Sequence, residues 1–291
     1  MRNTPLKTHA MTRTFHAFQR DVDATSAQDY AAFRAAGPKM SAKALRDTLA
    51  AHPGLRRYDT AFENVLNAVR TTVVRDRPAA WLVYNMAVVV KTARTTFAID
   101  LAHRQDIRMA PLLDFALVTH NHDDHVGPAF LTAMDKSGKT IISNFLCNYG
   151  AYRSETMPGG YTRRKKVFKI GDVTIRTALS DHNGYLKAFT TTFEISVGDW
   201  TLYHTGDSCD IRQLVPKRTP DLWIVHPRCG LDVADGVRAF HPRRVAICHL
   251  CELGHPPHQW RWSLSDGLEE AARAEAAGAE AVVPLWGQRL V

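Results

Sequence analysis

Thr119-His120-Asn121-His122-Asp123-Asp124-His125 is the stretch on which the reading of this chain turns. It follows residues 115–119, a short apolar run with the composition of a buried strand. His120, His122, Asp124 and His125 place four potential metal ligands within six residues. Such a group cannot be buried without partners, because each buried polar side chain needs compensation. Imidazole and carboxylate donors suit zinc and related first-row ions. A turn leaving a strand can aim His120 and His122 at one ion while Asp124 and His125 face a second. A single His-x-His would be a weak signal; this cluster is a strong one.

Outward from the motif, the pattern changes near residue 81. Residues 26–36, 41–51 and 61–72 carry apolar side chains at helical spacing, with Ser26 and Ser41 as N-caps and Gly37-Pro38 and Pro53-Gly54 as breakers. Residues 1–80 therefore read as a helical N-terminal extension, able to pack on the main domain, form an oligomer contact or line a cleft. Residues 81–90 and 95–101 read as strands with a turn near 92–94. Further strands are expected at 140–143, 167–170, 173–178, 190–197, 200–204, 222–225, 245–248 and 280–284, with helices at 126–136 and 265–277. Many strands with occasional helices fit an α/β sandwich of mixed sheets with helices outside.

The His-x-His-x-Asp-His motif resembles the signature of the metallo-β-lactamase superfamily, and the resemblance covers about 81–291. It implies an αββα sandwich, here with the N-terminal helical extension, and three further ligands at strand ends. This chain offers them in order: His182 in Ser180-Asp181-His182-Asn183, Asp207 in His204-Thr205-Gly206-Asp207, and His249 in Cys248-His249. Carried over by motif, His120, His122 and His182 would bind metal one, and Asp124, His125 and His249 metal two, with Asp207 as the bridge. The bridging carboxylate separates the chain from the true β-lactamases. The layout resembles lactonase-like members related to ascorbate-6-phosphate lactonase. It departs from them at Cys248-His249-Leu250-Cys251-Glu252-Leu253-Gly254-His255, where a simpler turn is usual.

The implied cofactor is a pair of divalent ions, zinc first, with manganese or iron as alternatives. Such a pair lowers the pKa of water and polarises the bond under attack. Asp124 would also orient the hydroxide, His255 and His226 are candidates for proton donation, and Asp123 or Asp181 for fixing ligand imidazoles. The expected reaction is hydrolysis of an ester, lactone or phosphoester of a small anionic substrate. A phosphodiesterase or nuclease is the second reading. The basic cluster Arg163, Arg164, Lys165, Lys166 and Lys169 favours it, and the lack of an inserted nuclease domain weighs against it. A non-catalytic metal-binding protein is the third. The net charge of +8 would draw anions. Five cysteines, an odd number in 291 residues, argue against a disulfide framework and for a reducing cytoplasm. The Cys248/Cys251 pair reads as buried structural thiols. No apolar run reaches the length of a membrane span, and residues 1–19 lack the apolar core of a secretory signal.

Overall fold

Two sheets carry the architecture of this computed structural model, which describes residues 5–143, 166–257 and 259–291. The first is ordered β1 (Ala79–Tyr84), β2 (Ala87–Lys91), β3 (Thr96–Ile99), β4 (Phe115–Leu117) and β5 (Thr140–Ile142). Its first three strands form an antiparallel meander, and β3, β4 and β5 run parallel. In the second sheet β6 (Lys166–Ile170), β7 (Val173–His182), β8 (Leu186–Val197) and β9 (Trp200–His204) are antiparallel neighbours. From β9 onward, β10 (Leu222–Val225), β11 (Arg244–Ile247) and β12 (Glu280–Val282) continue in parallel. Most strands of the first sheet are buried along their whole length, as strands covered on both faces must be. One apolar core joins the two sheets and the helices.

Helices flank both sheets. The first four, α1 (Pro5–Asp23), α2 (Ala27–Ala36), α3 (Ala42–Ala51) and α4 (Pro53–Thr71), precede β1. Ser26 and Ser41 cap α2 and α3 as their sequence suggests, each hydroxyl accepting from a backbone amide three residues on. Pro53 does not break the chain. It opens α4 in the first turn, where its missing N–H costs nothing. One face of α4, including Leu55, Tyr58, Phe62, Val65, Leu66 and Val69, is buried, and α4 packs on β1 and β2. On the same sheet α5 (Pro128–Lys136) packs on β4 and β5. Against the second sheet lie α6 (Val233–Phe240), unanticipated, and α7 (Leu264–Ala276), which begins with a Ser263/Asp266 capping box and packs on β11 and β12. No described helix is long and apolar enough to cross a membrane.

Residues 81–90 do not form one strand. Asn85 adopts φ 54° and turns the chain between β1 and β2. Of the basic cluster, Arg163, Arg164 and Lys165 lie outside the described residues, while Lys166 and Lys169 fall on β6. Cys147 and His258 also lie outside them. The other four cysteines are free thiols, Cys248 and Cys251 both buried, and burial pushes these two thiols well up.

Candidate metal centre

The motif loop is held from below by a residue absent from the sequence expectations. Asp100 follows β3, is fully buried, and turns the chain at φ 51°. Its carboxylate accepts from the Thr119 amide and hydroxyl at 2.7 Å each, and meets His125 Nδ1 at 2.9 Å. Thr119 Oγ1, already donating to Asp100, accepts from His120 Nδ1 at 3.0 Å. Both imidazoles are thus left with Nε2 facing inward, the arrangement in which an outer carboxylate sets ring orientation and basicity. The Thr119 carbonyl accepts from the Thr191 amide at 2.7 Å, pinning the loop to β8 of the opposite sheet.

The downstream residues arrive at the same end of the sandwich. A register shift between Ser180 and His182 ends β7 and re-aims His182. Asp207 follows β9 across Gly206 at φ 51°, where an added Cβ would stand 2.8 Å from Thr119 Cβ. Only glycine allows that approach. His249 follows β11 at φ 60°, its amide donating to the Asn85 carbonyl. Asn85 Nδ2 in turn donates to Asp124 Oδ2 at 2.7 Å and lies 3.2 Å from His249 Nε2.

Two groups of donors result. His120, His122 and His182 form one, with His182 Nε2 3.2 Å from His122 Nδ1. Asp124, His125 and His249 form the other, at 3.3 and 3.1 Å from Asp124 Oδ2. Asp207 stands between them. Its Oδ2 lies 3.8 Å from His120 Nε2 and from His182 Nε2, and 3.5 Å from His249 Nε2; its Oδ1 lies 3.4 Å from His125 Nε2. Donors bound at about 2.0–2.2 Å on neighbouring corners of one ion stand about 3–4 Å apart, the spacing seen here. His120 Nε2, His125 Nε2 and Asp207 Oδ1 are also buried without a hydrogen-bond partner, a state that native interiors avoid. Burial alone would raise the carboxyls of Asp124 and Asp207, but His125 and His249 outweigh it and hold both well below the usual range. Burial drives His120 well down, whereas Asp124 and Asp207 overcome it and raise His125 and His249, so the second group pairs two cationic rings with two carboxylates, and bound ions would replace those protons. The donor set therefore fits divalent ions.

No family model matches the chain. It is 32% identical over 142 residues to a UPF0173 metal-dependent hydrolase of Carboxydothermus hydrogenoformans, a match covering 43% of this chain and 60% of that protein. The chain thus spans less than two thirds of that curated relative. Its backbone is similar to Igni18, a metallo hydrolase of Ignicoccus hospitalis, with a TM-score of 0.55 at 19% identity over 74% of this chain and 98% of that one. It is also similar to YhfI of Bacillus subtilis, described as a metallo-β-lactamase fold protein, with a TM-score of 0.53 at 16% identity over 74% and 99% of the two chains. The chain has the metallo-β-lactamase fold.

Within this metallo-β-lactamase fold, the remaining sequence-named residues divide. His226 follows β10, is buried, and lies 3.6 Å from Asp207 Oδ1 with both ring nitrogens lacking a hydrogen bond. Its donor atoms lie near enough to Asp207 and His249 to share an ion with them. Its ring, however, lies face to face with His249, centroids 3.9 Å apart at 16°. Imidazole lone pairs lie in the ring plane, so one ion cannot meet both rings, and His226 is read as a cavity group. His255 lies outside the donor groups, half-buried, with Nδ1 bonded to the buried Glu252 carboxylate. That bond is the main cause raising the His255 pKa above its ordinary value. Glu252 also accepts from the Tyr84 hydroxyl and the Gly254 amide.

Neither Asp123 nor Asp181 fixes a ligand ring. Asp123 is exposed and pairs with Arg34, and Asp181 accepts from Lys187 and the Ala188 amide. Asp100 does that work instead, and nothing in its local sequence marks it. Asn85 had a signal, a lone amide inside an apolar run. A cavity of about 240 Å³ opens over the centre, lined by donors of both groups and by His226, His255 and Arg228.

Proposed function

We propose that the protein is a dinuclear metal-dependent hydrolase, cleaving an ester, lactone or phosphoester bond of a small anionic substrate. The observation that carries this reading is the pair of donor groups flanking Asp207 beneath an open cavity. The match to a protein named a metal-dependent hydrolase agrees with it. His120, His122 and His182 would hold one ion, Asp124, His125 and His249 the second, and Asp207 both. Imidazole-rich donors favour zinc over magnesium or calcium, and manganese and iron remain chemically compatible. When bound, two such ions supply Lewis acidity and an activated water at neutral pH.

The chain's own groups do the rest. Asp124, held by Asn85, would hold an ion and offer a carboxylate oxygen able to orient a water in the cavity. His255 protrudes into the cavity with its Nδ1 proton committed to Glu252, leaving Nε2 to give a proton to the departing oxygen. His226, driven down to about 4 by burial and then by His249, stays neutral at the cavity floor, so it is not the cationic proton donor its sequence position suggested and offers hydrogen bonds only. Among the described residues, the cations that reach this face are occupied: Arg228 pairs with Asp266 and Glu269, and Lys187 with Asp181. The positive charge of the ions themselves would supply an anion preference.

Elemental analysis of protein purified without chelator should give two ions per chain. His249→Ala should reduce this toward one, and His255→Ala should leave it at two while lowering turnover on a panel of lactones, esters and phosphodiesters. At most one ion after reconstitution of the wild type defeats the dinuclear reading. Two ions with no hydrolysis anywhere in the panel defeats the reaction class.

A further inference from the structure

Among the described residues only two aromatic side chains are strongly exposed, Tyr185 at 73% and Trp260 at 60%. Both line the cavity over the candidate centre. Scattered exposed apolar residues are normal, but two large aromatics converging on one cavity are not scattered.

The loop that carries Trp260 is built to hold it there. Arg261, buried, donates to the carbonyls of Glu252, Leu253 and His255 within the loop, at 2.7–3.0 Å. It also donates to Val22 and Thr25 of the N-terminal helical region at 3.0 and 2.8 Å. The Cys251 amide donates to the Trp262 carbonyl at 2.7 Å, closing the loop's base. On this pedestal Trp260 takes φ 68°, a left-handed conformation that is unfavourable for a bulky residue and that clusters at functional sites. Tyr185 is displayed similarly. It follows Asn183 and Gly184, both left-handed, at the tip of the β7–β8 hairpin. Two exposed rings, each on a tightly turned support, lose little entropy on binding a flat ligand.

We propose that Trp260 and Tyr185 form a stacking clamp at the mouth of the metal-centre cavity, selecting substrates with a planar aromatic portion next to the scissile group. The clamp deepens the hydrolase reading and rests on it. Beneath the clamp, the scissile group of the substrate would face the ions that the donor groups around Asp207 would hold. The ring lies against indole and phenol faces, whose stacking is sequence- and substituent-tolerant but requires flatness.

The test uses the full chain loaded with zinc, and calorimetric binding of three phosphonates that offer the same anionic head: methyl-, cyclohexyl- and phenylphosphonate. Wild-type protein should bind phenylphosphonate about tenfold tighter than methylphosphonate, with cyclohexylphosphonate gaining less because it has no flat face. Trp260→Ala combined with Tyr185→Ala should erase the phenyl advantage without changing methylphosphonate affinity or zinc content, and Trp260→Phe should keep most of it. Equal affinity for all three by zinc-loaded wild type overturns the clamp alone. So does a phenyl advantage that survives in the double variant, or a cyclohexyl advantage equal to it. Protein that takes up no zinc overturns the hydrolase reading and the clamp together.

Discussion

At the scale of single residues, the centre is assembled by backbone conformations that most side chains avoid. Asn85, Asp100, Asn183, Gly206 and His249 all have positive φ, and each sits at or beside the donor groups. Gly reaches this region freely, and Asn, Asp and His enter it more readily than other side chains, so the residue types at these turns match the backbone that the centre requires. Glu252 is the residue whose influence can be read through pH. It holds His255 charged above the usual histidine range. If His255 donates the proton, kcat/KM falls as pH rises through its pKa. Glu252→Gln removes the carboxylate and should move that alkaline limb to lower pH, with zinc content unchanged. A pH–rate profile of the variant overlying the wild type would remove His255 from proton transfer.

At the scale of elements, the turn ahead of α5 shows how the motif loop is seated. Gly127 caps that helix, and an added Cβ would lie 2.0 Å from Asp106 Oδ2. Asp106, in the short 3-10 turn Asp106–Arg108, is buried, and that burial pushes its carboxyl up to about 7. Between the unfolded value near 3.8 and about 7 the folded state keeps a proton that the unfolded chain has released. Stability from this group therefore falls as pH rises through that window and stays reduced above it. Asp106→Asn, which mimics the protonated form, should gain stability over wild type at pH 8 and little at pH 4. Urea midpoints at the two pH values measure this; an equal difference at both contradicts the assignment.

Across the whole molecule, three arginines join the N-terminal helices to the loops of the centre. Arg34 of α2 donates to the Asp123 carbonyl and pairs with its carboxylate. Arg261 reaches back to Val22 and Thr25. Arg104, beyond β3 and buried, donates twice to Asp59 of α4 at 3.0 and 2.7 Å and once to the Gly37 carbonyl, with its guanidinium 4.3 Å from the Phe33 ring. Removing one partner of a buried ion pair leaves an uncompensated charge, at a cost of about 3–5 kcal/mol. Asp59→Ala should therefore lower unfolding stability by about that amount, far more than the exposed control Asp47→Ala, whose pair with Lys43 is solvated. A loss below about 1 kcal/mol, the range of exposed pairs, would mean that Arg104 finds water or another acceptor.

The cluster His120, His122, Asp124 and His125, the strand-rich α/β pattern and the helical start were legible in the linear sequence, while His182, Asp207 and His249 were named only through the family resemblance. Metal ligation demands particular side chains at short spacing, and burial writes apolar periodicity into strands and helices. Asp100, Glu252 and Arg261 were not legible. Each acts on residues far along the chain or on backbone carbonyls, and a carboxylate or guanidinium carries no local mark of the partner it will meet. That His226 stands close enough to Asp207 and His249 to be weighed as a ligand, and that its stacked ring argues against it, both come from the fold, since they rest on two rings from adjacent strand ends, β10 and β11. Spacing names the candidate donors of the motif loop; only packing brings the distant ones to them and sets the directions in which their lone pairs point.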